Sequence, residues 1–533
     1  MKIRVLFLLT VLVLTACSKI DNPMELITPN SSPTPTPTPT IIPPKITTTI
    51  TLNLNGNVYI DDKLFFLAGD AATSIATVTS GAHAIITSSD ESVVSIDGSG
   101  NIVPVGPGTA TITIVVKENL AFTAATETVT IVVGRKVSLA AETGTEFVAQ
   151  NGDQITGTAP NTMHLSIADG ALVRLKDATI KPTSGSNTAG IICQGDATLF
   201  IEGVNDVKGN GISEAGIQAG PEGTKLTINS QTLTSSLEVV GGNYAAAIGS
   251  KSDGVCGDLE IAGGVITASC YKGACIGGGS SSKCGNIIIS GGKITASSRY
   301  GSAIGSGCAW SENTNSDCGD IIITGGEIDA TTSSSTPAGN DVWMAAAIGT
   351  GYAYGTGCTV KCGNIKITGG KVTATTGNAT NVSYAAAIGT AGTSNTVQCG
   401  NIIIEGGTII ATSINNSLNY GGAGIGTGFI SSGLGICGNI SISGGTITAN
   451  GGHNAAGIGT GVAGHDGSSV TCGDITISGG IVTAHSHTTS SDLADIGLGG
   501  YWGTGTKTVG TITLDATNGA NYTKVSDTNY KHN

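Results

Sequence analysis

The chain has 533 residues, of which 11% are charged and 4% aromatic, with 82 Gly and 13 Cys. An ordinary globular domain is about one quarter charged, so this composition argues for thin, glycine-turned layers and against a helical or highly solvated protein. A net charge of -13 with no offsetting basic run excludes a nucleic-acid partner, and excludes attachment to anionic lipid through a basic surface.

Lys2 and Arg4 precede an apolar run from Val5 to Leu14, and Leu14-Thr15-Ala16-Cys17 closes it with small residues. The run is too short to span a bilayer as a helix. It resembles the lipobox of bacterial lipoproteins; a plain secretory signal is the simpler alternative. The resemblance implies a signal peptide over residues 1–16, lipidation at Cys17, and an outer-membrane, surface-exposed location reached through the lipid alone. Residues 17–45 then form a linker, in which Ser31-Ser32-Pro33-Thr34-Pro35-Thr36-Pro37-Thr38-Pro39 and Pro43-Pro44 hold the chain extended.

Residues 46–134 have another texture, with Thr-rich alternating segments separated by turn residues, as in a small β-sandwich. Ser88 to Asp97 followed by Gly98 to Ile114, with Gly106-Pro107-Gly108-Thr109-Ala110-Thr111-Ile112 at the turn, resembles the group 2 bacterial immunoglobulin-like domain. That resemblance implies a spacer or adhesive module without catalytic residues.

Residues 135–533 carry a tandem repeat. Seven times, from Cys256, Cys284, Cys318, Cys362, Cys399, Cys437 and Cys472, the chain writes Cys-Gly-Asn/Asp-x-x-Ile-x-Gly-Gly-x-Ile/Val-x-Ala. Nine variants of Ala-x-Ile-Gly or Ala-Gly-Ile run from Ala215 to Gly497. Alternation places Ile287, Ile289, Ile294 and Ala296 on one face, which is strand periodicity. Two strands flanking Gly291-Gly292, a third at Ala303-Ile304-Gly305 and a turn at the next Cys-Gly describe one coil of a parallel β-helix. The expected class is therefore all-β: an N-terminal sandwich and a right-handed parallel β-helix of about ten or eleven coils, three short strands each. At about 4.8 Å per coil the rod is roughly 45 to 55 Å long. The polar segment Tyr522 to Asn533 is expected to cover the last coil.

Periodicity also stacks side chains in columns. The seven Cys are expected as buried small apolar groups, because parallel side chains strain the torsion of a disulfide. Cys270 with Cys275, or Cys308 with Cys318, are better placed to bridge. Cys358-x-x-x-Cys362 has zinc-like spacing but no second pair, and neither a metal nor another cofactor is expected. The Asn/Asp column at 258, 286, 320, 364, 401, 439 and 474 reads as a ladder satisfying turn backbone groups, the scattered charges speaking against a calcium row.

Six aromatic residues, Tyr244, Tyr271, Tyr300, Trp343, Tyr384 and Tyr420, precede the third strand by four or five positions and so share one edge. Trp310, Tyr352, Tyr354, Phe429, Tyr501 and Trp502 follow that strand and are expected on its opposite side. Exposed ring rows stack on sugar rings while Ser, Thr and Asn supply hydrogen bonds. The plainer reading of the same rings is a ladder that packs loops against coils. A Thr/Ser array along the second strand suggests ice binding, but Asp329 and Ile410 interrupt it.

The repeats also resemble those of adhesin-like or carbohydrate-binding-annotated β-helix lipoproteins of bacteria, a resemblance that implies fold more than ligand. The expected function is a non-catalytic surface adhesin that binds polysaccharide or glycoprotein glycans. The rival classes are a β-helix polysaccharide lyase or glycoside hydrolase, and a purely structural surface protein. Lyases and hydrolases need clustered carboxylates at one point on the rod. The repeat region has no Asp-Asp pair, and Gly464-His465-Asp466-Gly467 and His485-Ser486-His487 are its nearest approaches to a pectinase signature.

Overall fold

The computed structural model describes residues 44–533 apart from 54–57, 61, 80, 184–186, 333–344, 378–382, 415–419, 488–492 and 501–502. The anchor and most of the linker, including Cys17, lie outside the described residues, as do Trp343, Tyr501 and Trp502.

The tandem repeat winds into a parallel β-helix. Each motif coil contributes two strands to one 22-stranded sheet, such as Ile287–Ile289 and Lys293–Ser298, both paired in parallel with their counterparts one coil away. The Ile-Gly pairs form a second sheet in which twelve strands, from Glu146–Ala149 to Ile496–Gly497, run in parallel. Twelve is slightly above expectation because the first coils lack both the Cys-Gly and the Gly-Gly marks. Ala171–Ile180, for example, passes through both strand positions without a Gly-Gly break.

The first three coils carry two strands each, and the next two, beginning at Ala197 and Lys225, carry the three expected. From Val255 onward a fourth appears, where the sequence suggests only a turn: short strands ending at each column cysteine, from Val255–Cys256 to Ser468–Cys472 and then Thr506–Val509, form an eight-stranded sheet. The first two are only two residues long, as in Lys283–Cys284, but the later ones run four or five and alternate, Val360 and Cys362 being buried in Thr359–Cys362.

Alternation sends Ile287, Ile289, Ile294, Ala296 and Ile304 inward, all with no exposed surface, and the same positions fill the core of every motif coil. Two glycine columns make the corners possible. The second Gly of each Gly-Gly pair is left-handed, φ +86° at Gly292 and +92° at Gly445. In each Ile-Gly pair a Cβ would collide with the glycine carbonyl of the next coil, at 1.9 Å for Gly277 against Gly305.

The ladder reading of the Asn/Asp column is borne out. The backbone N–H of Asn286 donates to Asp258 Oδ1, that of Asp320 to Asn286 Oδ1, and so on through Asn364, Asn401, Asn439, Asp474 and Thr511, at 2.7 to 2.9 Å. The shared element is the acceptor oxygen, which Asp and Asn both supply; where Asn follows Asp the amide adds a second contact, Asn364 Nδ2 donating to Asp320 Oδ1 at 3.2 Å.

The ends differ. The hairpin Tyr522–Ser526 and Asn529–His532 pairs antiparallel with the final Ile-Gly strand, and the Tyr522 ring enters the core with its hydroxyl accepting from Ala484 N at 2.7 Å. The C-terminal segment thus covers the last coil as expected. At the other end Val58–Ile60, Lys63–Leu67, Ala125–Gly134, Gly108–Val116 and Ala84–Ser88 make a five-stranded sheet, flanked by two two-stranded sheets. Leu64 and Phe66 face the core of this unit, whereas Phe65, Val58 and Val132 meet Leu172 and Phe200 on the outside of the β-helix. Burial on both faces explains the unbroken apolar run Leu64-Phe65-Phe66-Leu67.

Replacing Asn401 by Leu leaves the Asn439 N–H without its side-chain acceptor and is expected to cost about 0.5 to 1.5 kcal/mol. Asn401→Asp, which keeps the oxygen and has Asn364 and Asn439 as its column neighbours, costs much less; chemical denaturation of the two variants measures the difference.

Candidate functional site

Every coil core is a copy of its neighbours, so differentiated chemistry lies in the excursions around the Ile-Gly strand. The chain reverses there: Ser302 N donates to Ser306 O, Ala346 N to Thr350 O, Ala386 N to Thr390 O and Ala423 N to Thr427 O, at 2.9 to 3.2 Å. Segments before and after the strand therefore lie side by side. Tyr352 N donates to Tyr300 O at 3.1 Å and Phe429 N to Tyr384 O at 2.6 Å. This corrects the expectation that the following aromatics occupy the opposite side; among the described residues the reversal brings members of both sets to one edge.

The rings gather in two groups. In the first, Tyr271 meets Tyr300 at 5.3 Å between centroids, Tyr300 meets Trp310 at 5.6 Å, and Trp310 lies parallel to Tyr354 at 4.3 Å with an interplanar angle of 8°. The backbone sets this stack, because Ala309 and Ala353 form a parallel bridge and each aromatic follows its alanine by one residue in the stacked loops. Ala309, Ala353, Cys358, Val360, Ala391 and Val397 form part of a small satellite core beneath the loops. Tyr354 is 53% exposed, while Tyr352 beside it is buried, which pushes its phenol pKa up.

Lys272 lies at the base of the first group, nearly buried. Its Nζ donates to the Tyr244 hydroxyl at 2.8 Å, and sits 4.0 Å from the Tyr244 ring centroid and 3.3 Å from that of Trp310. Arg299 lies over Tyr271 and Tyr300, at 5.1 and 5.4 Å. Ring faces carry negative charge, so both cations help to hold the rings in place.

In the second group Tyr384, Tyr420 and Phe429 meet pairwise at 5.1 to 5.6 Å. Phe429 is buried and the two tyrosines are half-buried, burial raising the Tyr384 pKa. These rings pack loop against coil. Of the six residues singled out by spacing, Tyr244, Tyr271 and Tyr300 join the first group and Tyr384 and Tyr420 the second. Tyr354, which is the exposed ring of the group, and Trp310, on which it stacks, stand outside that spacing; their signal is an aromatic at a fixed distance after Ile-Gly in consecutive repeats.

A second missed column runs inside the corner. Ser306, Thr350, Thr390, Thr427 and Thr460, each directly after an Ile-Gly pair, are fully buried, and each hydroxyl accepts a backbone N–H from the next coil at 2.8 to 3.1 Å. The recurring Ser or Thr after Gly was visible in the sequence.

The column cysteines are buried and unbridged. Cys270 and Cys275 form a disulfide, with Cα atoms 5.2 Å apart, whereas Cys308 and Cys318 are free. Cys358 points to the Ser311 carbonyl and Cys362 joins the column, so the two do not converge. Among the described residues no group of three or more His, Cys, Asp and Glu is arranged to hold a metal ion. The thiol of Cys284 is held well above its ordinary pKa by hydrogen bonding to Cys256 and by burial.

The family model described as a beta helix repeat matches residues 287–308, 365–392, 402–429 and 440–462. Comparison with curated proteins and comparison with solved structures each return no match.

Lys272→Met keeps the stem and removes the ammonium. It is expected to destabilise the fold by about 1 kcal/mol and to shift Trp310 fluorescence, as read by thermal unfolding and emission spectra.

Proposed function

We propose that this β-helix protein is a non-catalytic, glycan-binding surface lipoprotein of the adhesin type. In this reading Cys17 carries the lipid, residues 17–45 are the stalk, the immunoglobulin-like unit of residues 46–134 is a spacer, and the rod of residues 135–533 displays the aromatic edge. The observation that carries the reading is the parallel Trp310–Tyr354 stack, whose outer ring is about half open to solvent. A flat ring held by a partner behind it presents a rigid apolar face for a sugar, at little cost in side-chain entropy. Asn313 and Thr314, in the loop that follows Trp310, put hydrogen-bonding groups nearby.

The carboxylates of the coils support a non-catalytic role. Asp258, Asp320 and Asp474 serve as ladder acceptors, and Glu260, Glu327 and Glu405 are paired with Lys225, with Lys293 and Lys371, and with Lys366. Glycoside hydrolysis or elimination requires two acids, or an acid and a base, aimed at one bond.

A glycan array tests this reading with the wild type, Trp310→Ala/Tyr354→Ala, and Tyr384→Ala as a packing control. Loss of the open Tyr354 face, a stacking contact of about 0.5 to 1.5 kcal/mol, together with the Trp310 ring that holds it, amounts to up to roughly tenfold in affinity. The double variant is expected to lose that much while Tyr384→Ala retains binding. Unchanged binding in the double variant removes the aromatic edge as the site, and shortening of any polysaccharide on incubation identifies an enzyme instead.

A further inference from the structure

The cysteine column has a chemistry that packing does not use. Cys256, Cys284, Cys318, Cys362, Cys399, Cys437 and Cys472 face one another in unbroken parallel register, one per coil. Coil spacing places successive Cα atoms about 4.8 Å apart, and Cys399 Sγ lies 3.6 Å from Cys437 Sγ. Parallel side chains resist the near-perpendicular torsion of a disulfide, so neighbouring thiols remain close without bridging. Sulfur is not required for packing at this position: Val509 continues the column after Cys472 and is buried as well.

The column is open at one end. A groove of about 360 Å³ runs along Cys256, Cys284 and Cys318, bordered also by Asp258, Lys283 and Asp317. Cys284 and Cys318 are the most exposed of the column at 7% each, with Cys362 at 5%, whereas Cys256, Cys399, Cys437 and Cys472 are at 1%. Asp317 Oδ1 is buried there with no hydrogen-bond partner.

We propose that the groove over Cys256, Cys284 and Cys318 is a binding site for soft monovalent metal ions of the Cu(I) type, each held in two-coordinate fashion between thiolates of neighbouring coils. Soft sulfur ligands select such ions. Zn²⁺, which takes four ligands in a closed site, finds no third donor in ligand geometry among the described residues. Binding breaks two S–H bonds and forms two S–metal bonds; both protons pass to solvent and no group changes oxidation state. The resulting anionic bis-thiolate lies beside Lys283.

Anaerobic titration of the reduced full chain with Cu(I), added as its acetonitrile complex against a colorimetric Cu(I) chelator, tests the site. The wild type is expected to withdraw Cu(I) and to develop ultraviolet sulfur-to-copper absorption. Cys284→Val/Cys318→Val, chosen because Val509 fits the same column, is expected to bind at least tenfold more weakly with its β-type circular dichroism intact. C270A/C275A/C308A is expected to bind as the wild type. Should the valine variant misfold, alkylation mapped by mass spectrometry on the wild type decides the point, since Cu(I) must protect Cys284 and Cys318 first. Equal binding by the valine variant, first protection of cysteines other than Cys256, Cys284 and Cys318, or displacement of Cu(I) by equimolar Zn²⁺ overturns the proposal.

Discussion

A coil in the middle of this rod meets nothing above or below but near copies of itself. That constraint requires each backbone polar group and each inward side chain to find its partner at the same position one coil away. The Asn/Asp oxygens take the turn N–H groups, the Ser/Thr hydroxyls take those inside the corner, and glycines stand where a Cβ would strike the next carbonyl. The isoleucines and alanines of the strands then stack into a core without gaps to fill, because like meets like. A thiol meets a thiol for the same reason, and a line of sulfur forms although no single coil contains a pair.

The same constraint explains which parts of the molecule were legible in the sequence. Positions that must match their own copies recur at fixed offsets, so the inward faces of Ile287, Ile289, Ile294 and Ala296, the ladder through Asn364 and the capping role of the segment from Tyr522 could all be read from spacing. The fourth strand was legible only in part: two paired residues ending at Cys284 leave no alternation to detect, whereas Thr359–Cys362 and Ser468–Cys472 do alternate. The side of the rod on which Trp310 and Tyr354 lie was not legible either. It depends on the backbone reversal around Ile304-Gly305 and Ile348-Gly349, which a pattern of inward and outward positions does not record. Lys272 between Tyr244 and Trp310 joins residues from successive coils, and a single repeat gives no sign of it.

Uniform coils leave variation to the loops and the ends. Loop length and loop aromatics change from repeat to repeat while the core does not, so a binding surface can be remodelled there without disturbing the stack. The N-terminal unit adds a second break in uniformity, since Phe65 and Val132 seal against Leu172 and Phe200 and fix that unit to the first coils. The glycan reading and the thiol reading use different sheets of the rod, the Ile-Gly corner and the cysteine strands, and stand or fall separately.

Residue-resolved hydrogen exchange on the folded protein tests the coil-to-coil coupling most directly. If the side-chain oxygens hold the turns, the amides of Asn286, Asp320, Asn364, Asn401 and Asn439 exchange as slowly as those of the strand residues Ile289, Ile323 and Ile367 that follow in the same coils. Exchange of these turn amides at the rate of exposed loops would contradict it, since the columns would then be independent turns and not one continuous ladder.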